Sequence, residues 1–164
     1  MTTTTNEIRE RLAARGLSLP RPWEFPPDSR IPSTLVRVVD SHAWVSGHVP
    51  LAADGTVAEP RGRVGAEVDL QSAQTAAVRT LLAILASVDA ALGGFERIRT
   101  WDRLFCMVNT APDFDAYPSV FNPTSQLLLD LFGEDAGRHA RVAIGVAGLP
   151  WNVPVEIVAD LDLK

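Results

Sequence analysis

Arg141 and Glu156 are the two side chains of this 164-residue chain whose types and spacing best fit chemistry. The stretch from Arg138 opens with positive charge and runs through Val142, Ile144 and Val146 to Leu149-Pro150. A second apolar run, Val153-Pro154-Val155-Glu156-Ile157-Val158, carries one acid. The pattern reads as two strands joined by a proline turn. On paired strands, a guanidinium and a carboxylate can hold a small acid and a water molecule between them. The planar guanidinium binds a carboxylate through two parallel charge-assisted hydrogen bonds. A partly buried carboxylate can place a water and shuttle its proton. The bland alternative is a structural ion pair, of these two with each other or of either with another group.

The totals set limits on what surrounds this pair. The length fits one domain with a substantial core, and 46% hydrophobic with 21% charged residues is ordinary for a globular protein. Fifteen basic and 20 acidic residues give a net charge of −5, which argues against nonspecific nucleic-acid binding. Cys106 is the sole cysteine, so no intrachain disulfide forms and a reducing compartment is the default. The Thr-rich and then charged start lacks the apolar stretch of a secretory signal. No run reads as approaching the roughly 20 apolar residues of a bilayer span. These features point to the cytoplasm.

Several elements must position the pair. Asn6 is placed to cap a short helix over 7–15, with Gly16 as its stop and Ile8, Leu12 and Leu17 as an apolar stripe. Residues 19–28 hold four prolines and read as an extended arm pinned by Trp23 and Phe25. Strands are expected over 34–39 and 43–47, with a turn at Asp40-Ser41. The clearest element is a helix over 70–92. Leu70, Ala73, Ala77, Leu81, Ile84, Leu85, Val88 and Leu92 form one stripe, and Gly93-Gly94 ends it. A strand over 98–109 contains Cys106, which reads as a buried small hydrophobe. A second helix runs over 117–132 and stops at Gly133. Pro118 or Pro123 opens it, so Asn122 reads as an N-cap or early-turn residue. The order β-β-α-β-α-β-β is that of an α+β two-layer sandwich, with two helices on one face of a mixed or mostly antiparallel sheet.

Several of these pieces resemble the RidA family (also YjgF/YER057c/UK114). They are Val45-Ser46-Gly47-His48-Val49-Pro50, the alanine-rich helix ending at Gly93, Asp113-Phe114, and above all Arg141, Leu149-Pro150 and Val155-Glu156-Ile157. They fall in the family's order across roughly residues 33–160. The resemblance implies a chorismate-mutase-like fold and a homotrimer with clefts between subunits. It implies a RidA-like domain over 31–164, with 1–30 as an added helix and Pro-rich arm. It implies hydrolysis of a reactive enamine or imine of an amino acid to the 2-oxo acid and ammonia, with no metal or organic cofactor. Arg141 matches the family's carboxylate-binding arginine and Glu156 its water-positioning acid. Asn122 matches a site asparagine near the start of the second helix, with helix capping as the alternative. Gly47 matches a glycine that lets backbone approach the ligand, with a bulge or turn glycine as the alternative.

Departures from the family pattern bear on substrate. Ser33 stands where an aromatic residue is usual. Ala143 replaces a frequent cysteine at a position that acts through its backbone carbonyl, which excludes thiol chemistry there. The arm, Trp151 and Pro154 all lie where they can narrow a cleft. His42, His48 and His139 show no metal-ligand spacing. Arg138, His139 and Arg141 form a basic cluster sized for one carboxylate or phosphate, and alternation puts His139 and Arg141 on the same side only where the strand is regular. Two other readings stand beside the deaminase. One is a noncatalytic trimer that binds a small carboxylate metabolite. The other, less favoured, is an endoribonuclease of the L-PSP type, disfavoured by acidic balance and the lack of interleaved aromatic and basic residues.

Overall fold

The run after Asp69 forms the central helix of the protein. In a computed structural model, which describes residues 3–24 and 31–164, α2 spans Leu70–Leu92, as its apolar period predicts. The Asp69 carboxylate accepts from the Ser72 N–H at 2.7 Å and caps it. Gly93, in the left-handed region at φ 73°, ends it. Ala73, Ala77, Leu81, Ile84, Leu85 and Val88 are all buried. Burying each of the larger aliphatic side chains contributes about 1.5–3 kcal/mol. One 18-residue window of α2 has a mean hydropathy of 1.6, long and apolar enough to cross a bilayer by length and composition. That corrects the expectation that no run approaches such a length. In this fold the helix packs against the sheet and the neighbouring helix as core.

The other elements are α1 (Thr5–Ala13), β1 (Val36–Val39), β2 (His42–His48), β3 (Ile98–Asn109), α3 (Tyr117–Gly137), β4 (Ala140–Val146) and β5 (Val155–Leu163). They form one five-stranded sheet in the order β1-β2-β5-β3-β4. β3 and β4 are parallel and every other neighbouring pair is antiparallel. α2 and α3 cover one face, which gives the expected α+β two-layer sandwich. The opposite face is open.

Four local expectations change. The cap of α1 is Thr4, not Asn6. Thr4 Oγ1 accepts from the Glu7 N–H at 3.2 Å while the Glu7 carboxylate accepts from the Thr4 N–H at 2.7 Å. This reciprocal capping box starts the helix two residues early. Second, Gly133 leaves the helical region (φ 77°, ψ 175°), but the chain resumes a helical turn as far as Gly137 instead of entering a loop. Third, β4 and β5 do not pair. The parallel crossover β3-α3-β4 sets β4 beside β3, and β5 fills the gap on the other side of β3. Arg141 and Glu156 are therefore not on paired strands.

The fourth change concerns Asn122. α3 begins at Tyr117 with Pro118 in its first turn, so Asn122 lies inside the helix and caps nothing. Pro123 removes the bond that its N–H would have given the Ser119 carbonyl. The Gln74 side-chain amide of α2 donates to that carbonyl instead, at 2.9 Å.

α1 and the segment after it lie on the helical layer. Ile8 and Leu12 are buried in the same core as α2 and β3. Arg9 pairs with Asp89 at 2.9 Å and Arg15 with Asp130 at 3.0 Å, and Arg11 donates to the Leu131 carbonyl. Trp23 is buried, its ring 6.0 Å from that of His48 and 5.6 Å from that of Trp151. Phe25, the other expected anchor, lies outside the described residues.

Candidate functional site: two half-sites on one sheet

Register places Arg141 on the helix-covered face. It is opposite Leu104, which is buried under the helices. Its Nη1 donates to Ser125 Oγ at 3.0 Å, and its Nη2 to Asn122 Oδ1 at 3.0 Å and to the Pro118 carbonyl at 3.3 Å. These acceptors stand at positions 118, 122 and 125 of α3, steps of four and three that align on one side of a helix. All three are neutral. Among the described residues no carboxylate lies within ion-pairing distance of Arg141, so the structural ion pair is not its role. The remaining N–H donors of the guanidinium are left for a ligand. A cavity of ≈ 280 Å³ opens here, lined by Asn122, Ser125, Leu129, Arg138, His139 and Arg141.

Two residues downstream, Ala143 faces the same way, opposite Cys106. The Val146 carbonyl accepts from the Thr110 N–H beside β3. Alternation along the strand then turns the Ala143 carbonyl to the free edge of the sheet. Gly145 continues this face, and a Cβ there would collide with the Tyr117 ring at the start of α3.

Glu156 lies on the other face. It is opposite Met107, one step from the buried positions Val155 and Ile157. Its carboxylate lies against Gly47, where a Cβ would collide with it. β2 is irregular here, with a register shift between Val45 and His48. Ser46 N–H donates to Leu35 O at 2.9 Å, Ser46 Oγ to Thr34 O at 2.7 Å, and His48 Nδ1 to Ser46 O at 2.7 Å. These bonds fix the bulge that brings Gly47 under the acid. Glu156 has no hydrogen-bond or ion-pair partner among the described residues, and burial raises its pKa above the usual 4.5. A half-buried, unpaired, protonatable carboxylate fits acid–base work. Toward the β1 edge, Ser33, Thr34, Arg37, Trp44 and Ser46 help line a cavity of ≈ 540 Å³.

The two half-sites do not meet within one copy. Two strand spacings and three residues of rise put the Arg141 and Glu156 backbones about 14 Å apart, with side chains on opposite faces. The structure joins Arg141 with Asn122, and Glu156 with Gly47, and keeps the pairs apart. Sequence reasoning missed Ser125 and the Pro118 carbonyl. Their signal was the 118–122–125 spacing, hidden because the helix was read by its apolar stripe alone.

Other candidate groups have other occupations. Cys106 is buried in the core, and burial pushes its thiol up to about 12, too high for a nucleophile at neutral pH. His48 is buried between Ser46 and Ser87. His42 Nδ1 lies 2.9 Å from Asp162 and 3.8 Å from Asp102, a grouping that sequence spacing did not show. The Arg99 guanidinium also sits on Asp162. A separate apolar hollow of ≈ 420 Å³ lies between α1, the strap after it and α2. The Arg9–Asp89 ion pair and the Ser18 hydroxyl are its polar side chains, so it carries no free acid or base.

No family model matches the chain. A curated relative, Protein TCP17 of Trypanosoma cruzi, is 39% identical over 103 residues, which cover 63% of this chain and 64% of that protein. The chain thus spans less than two thirds of the length of the curated relative it matches. Among solved structures, Atu1372 of Agrobacterium tumefaciens, of unknown function, is 36% identical with a TM-score of 0.85, over 97% of this chain and 93% of that one. A protein of Shewanella oneidensis described as a candidate endoribonuclease is 26% identical with a TM-score of 0.84, over 95% and 99%. Two E. coli proteins share the fold at lower identity. The YjgF gene product is 21% identical with a TM-score of 0.59, over 88% and 98%. TdcF, solved with bound serine, is 19% identical with a TM-score of 0.60, over 88% and 94%.

Proposed function

The chain belongs to the RidA (YjgF/YER057c/UK114) family, and from that premise we propose that it hydrolyses a small 2-imino acid, or its enamine tautomer, to the 2-oxo acid and ammonia. The observation that carries this reading is the state of Arg141. Its charge is held in place by three neutral oxygens and, among the described residues, has no carboxylate of its own. A substrate carboxylate supplies the missing partner through charge-assisted hydrogen bonds. Bound serine in the E. coli relative TdcF agrees with a small amino-acid-like ligand on this fold.

The acid is supplied by a second copy in this proposal, because the Arg141 and Glu156 half-sites lie on opposite faces of the sheet. The open face carries Trp44 at 46% exposure, Val142 at 37% and Ile144 at 36%, alongside Phe105, Met107 and Val158. An apolar sheet face of this kind calls for cover. A homotrimer covers it and brings the β4 edge of one copy to the β1–β2 edge of the next. Residues 31–164 then form the repeating domain and 1–30 an added arm, whose described part, 3–24, lies on the outer layer, in a cytoplasmic protein.

Chemically, Arg141 holds the carboxylate and so places C2. Asn122 borders the same pocket, the Ala143 carbonyl faces the free sheet edge two residues on, and Gly47 keeps backbone close to the reacting atoms. Glu156 takes a proton from water as its oxygen bonds to C2 of the protonated imine, which gives a neutral carbinolamine. That proton then passes from Glu156 to the nitrogen, the C–N bond breaks as the hydroxyl proton returns to the Glu156 carboxylate, and ammonia leaves as the carbonyl forms. The enamine form first takes a proton at C3. Burial raises the Glu156 pKa, which makes the carboxylate a stronger base and its acid easier to populate near working pH.

The test is ammonia release from freshly generated 2-iminopropionate and longer 2-imino acids, wild type against Arg141→Ala. Acceleration over buffer that disappears in the variant supports the reading. No acceleration across the series moves the protein to the binding role, in which Arg141 still holds a small carboxylate and Glu156→Gln has no turnover to lose.

A further inference from the structure

We infer that His139 and Ser125 are positioning residues for the carboxylate anchor, acting as one hydrogen-bonded chain that fixes the plane of the Arg141 guanidinium. The inference rests on the proposed role of Arg141; it adds Ser125, which neither the sequence motifs nor the family resemblance assigns, and it makes His139 a neutral hydrogen-bond acceptor instead of a member of a basic cluster.

The chain starts at a fixed point. Gly137 is buried, and its Cα sits so close to the Leu128 carbonyl of α3 that a Cβ would collide with it. Its own carbonyl lies 2.8 Å from His139 Nδ1. A carbonyl only accepts, so Nδ1 carries the proton. Burial lowers the His139 pKa, the Gly137 bond opposes it in part, the Arg141 charge adds a smaller push downward, and the imidazole stays neutral with a bare Nε2. Nε2 lies 3.0 Å from Ser125 Oγ and accepts its hydrogen. The Ser125 lone pairs are thereby turned to Arg141 Nη1, also at 3.0 Å.

Every proton in the chain is thus assigned by the one before it. The direction runs from Arg141 through Ser125 and His139 to Gly137. Donation to His139 makes Ser125 Oγ a better acceptor for the guanidinium, because hydrogen bonds in series polarise one another. Asn122 and Pro118 hold Nη2, so Ser125 is the acceptor that fixes Nη1. Without it the guanidinium is held at Nη2 alone and can pivot there, and its grip on a carboxylate loses preorganisation. His139 touches neither substrate nor water in this scheme.

The experiment measures 2-oxobutyrate binding by calorimetry and 2-iminobutyrate turnover in parallel, on the intact protein. His139→Leu removes the acceptor for Ser125, and Ser125→Ala removes the link itself. Each is expected to raise KM and the 2-oxobutyrate Kd about tenfold, as loss of one hydrogen bond to a charged group does, with kcat within about twofold. His139→Gln, whose amide oxygen can accept from Ser125, recovers most of the loss. The double variant His139→Leu/Ser125→Ala is no worse than either single variant, because both break the same chain.

Additive losses, no recovery by Gln, or unchanged KM and Kd in folded His139→Leu overturn the inference. An Arg141→Ala variant that binds 2-oxobutyrate as tightly as wild type overturns the anchor reading beneath it, and wild type that binds none overturns both. Dependence on Arg141 with indifference to Ser125 and His139 leaves the anchor standing and removes the positioning chain alone.

Discussion

Gly47 and Glu156 are in contact across the open face of the sheet, with no room between them for a methyl group. The bulge in β2 and the alternation of β5 set this relationship, and it leaves on that face an acid with no partner among the described residues. Gly47→Ala must push the carboxylate aside or open the β2–β5 ladder. The expected result is a fall in kcat of tenfold or more, on the order of what misplacing a catalytic group costs. Circular dichroism should show the fold retained. Unchanged kcat in folded Gly47→Ala protein contradicts a role for Glu156 at its present position.

Glu156 also couples function to stability. Burial lifts its folded pKa above the usual 4.5, so between those two values the folded chain holds a proton that the unfolded chain lacks. The stability this contributes is complete below pH 4.5 and is lost as pH rises through the folded value. Above it the protein carries an uncompensated buried charge. Glu156→Gln should therefore unfold at the same temperature as wild type near pH 4, at a higher temperature at pH 7–8, and turn over no substrate. Thermal melts across this range check the sign. A variant less stable than wild type at pH 8 goes against it.

His48 behaves in the opposite sense. It is buried, with Nδ1–H donating to Ser46 O and Nε2 accepting from Ser87 Oγ, and burial lowers its pKa from 6.5 to about 4. As pH falls through this window the unfolded chain takes up a proton that the folded chain refuses. Stability is full above pH 6.5 and falls toward pH 4, by on the order of 3 kcal/mol at about 1.36 kcal/mol per pH unit. His48→Asn keeps a donor for Ser46 and loses the titrating group. Denaturant unfolding of both proteins from pH 7 to 4 should show the slope in wild type and a shallower one in the variant. Parallel curves would falsify the assignment.

The parts of the fold legible in sequence were those decided locally. α2 follows from its apolar period and the long mixed run over 98–109 reads as a strand, and their ends at Gly93 and Asn109 agree with the structure. Strand order was not local. β4 and β5 follow one another around a Leu-Pro turn, yet β3 lies between them, because α3 returns the chain parallel to β3. Single residues stayed hidden for a related reason. Ser125 looked like one more polar position on a helix until β4 was laid against it. Asn122 was singled out through its match to the family and does meet Arg141, and its helix-capping alternative failed because Pro123 is tolerated inside α3 where Gln74 takes over the orphaned Ser119 carbonyl. Gly47 and Glu156 were each legible as types, but their contact needed the bulge.

The central claim is that one site takes Arg141 from one copy and Glu156 from another. The most direct measurement mixes two variants, Arg141→Ala and Glu156→Gln, after dissociating and reassembling them together, and assays 2-imino acid hydrolysis. Neither variant alone should turn over substrate. In random mixed trimers about a quarter of the interfaces pair an intact Arg141 with an intact Glu156, so activity should return to about that share of wild type. Mixed assemblies that form and stay as inactive as their parents would contradict the two-copy site.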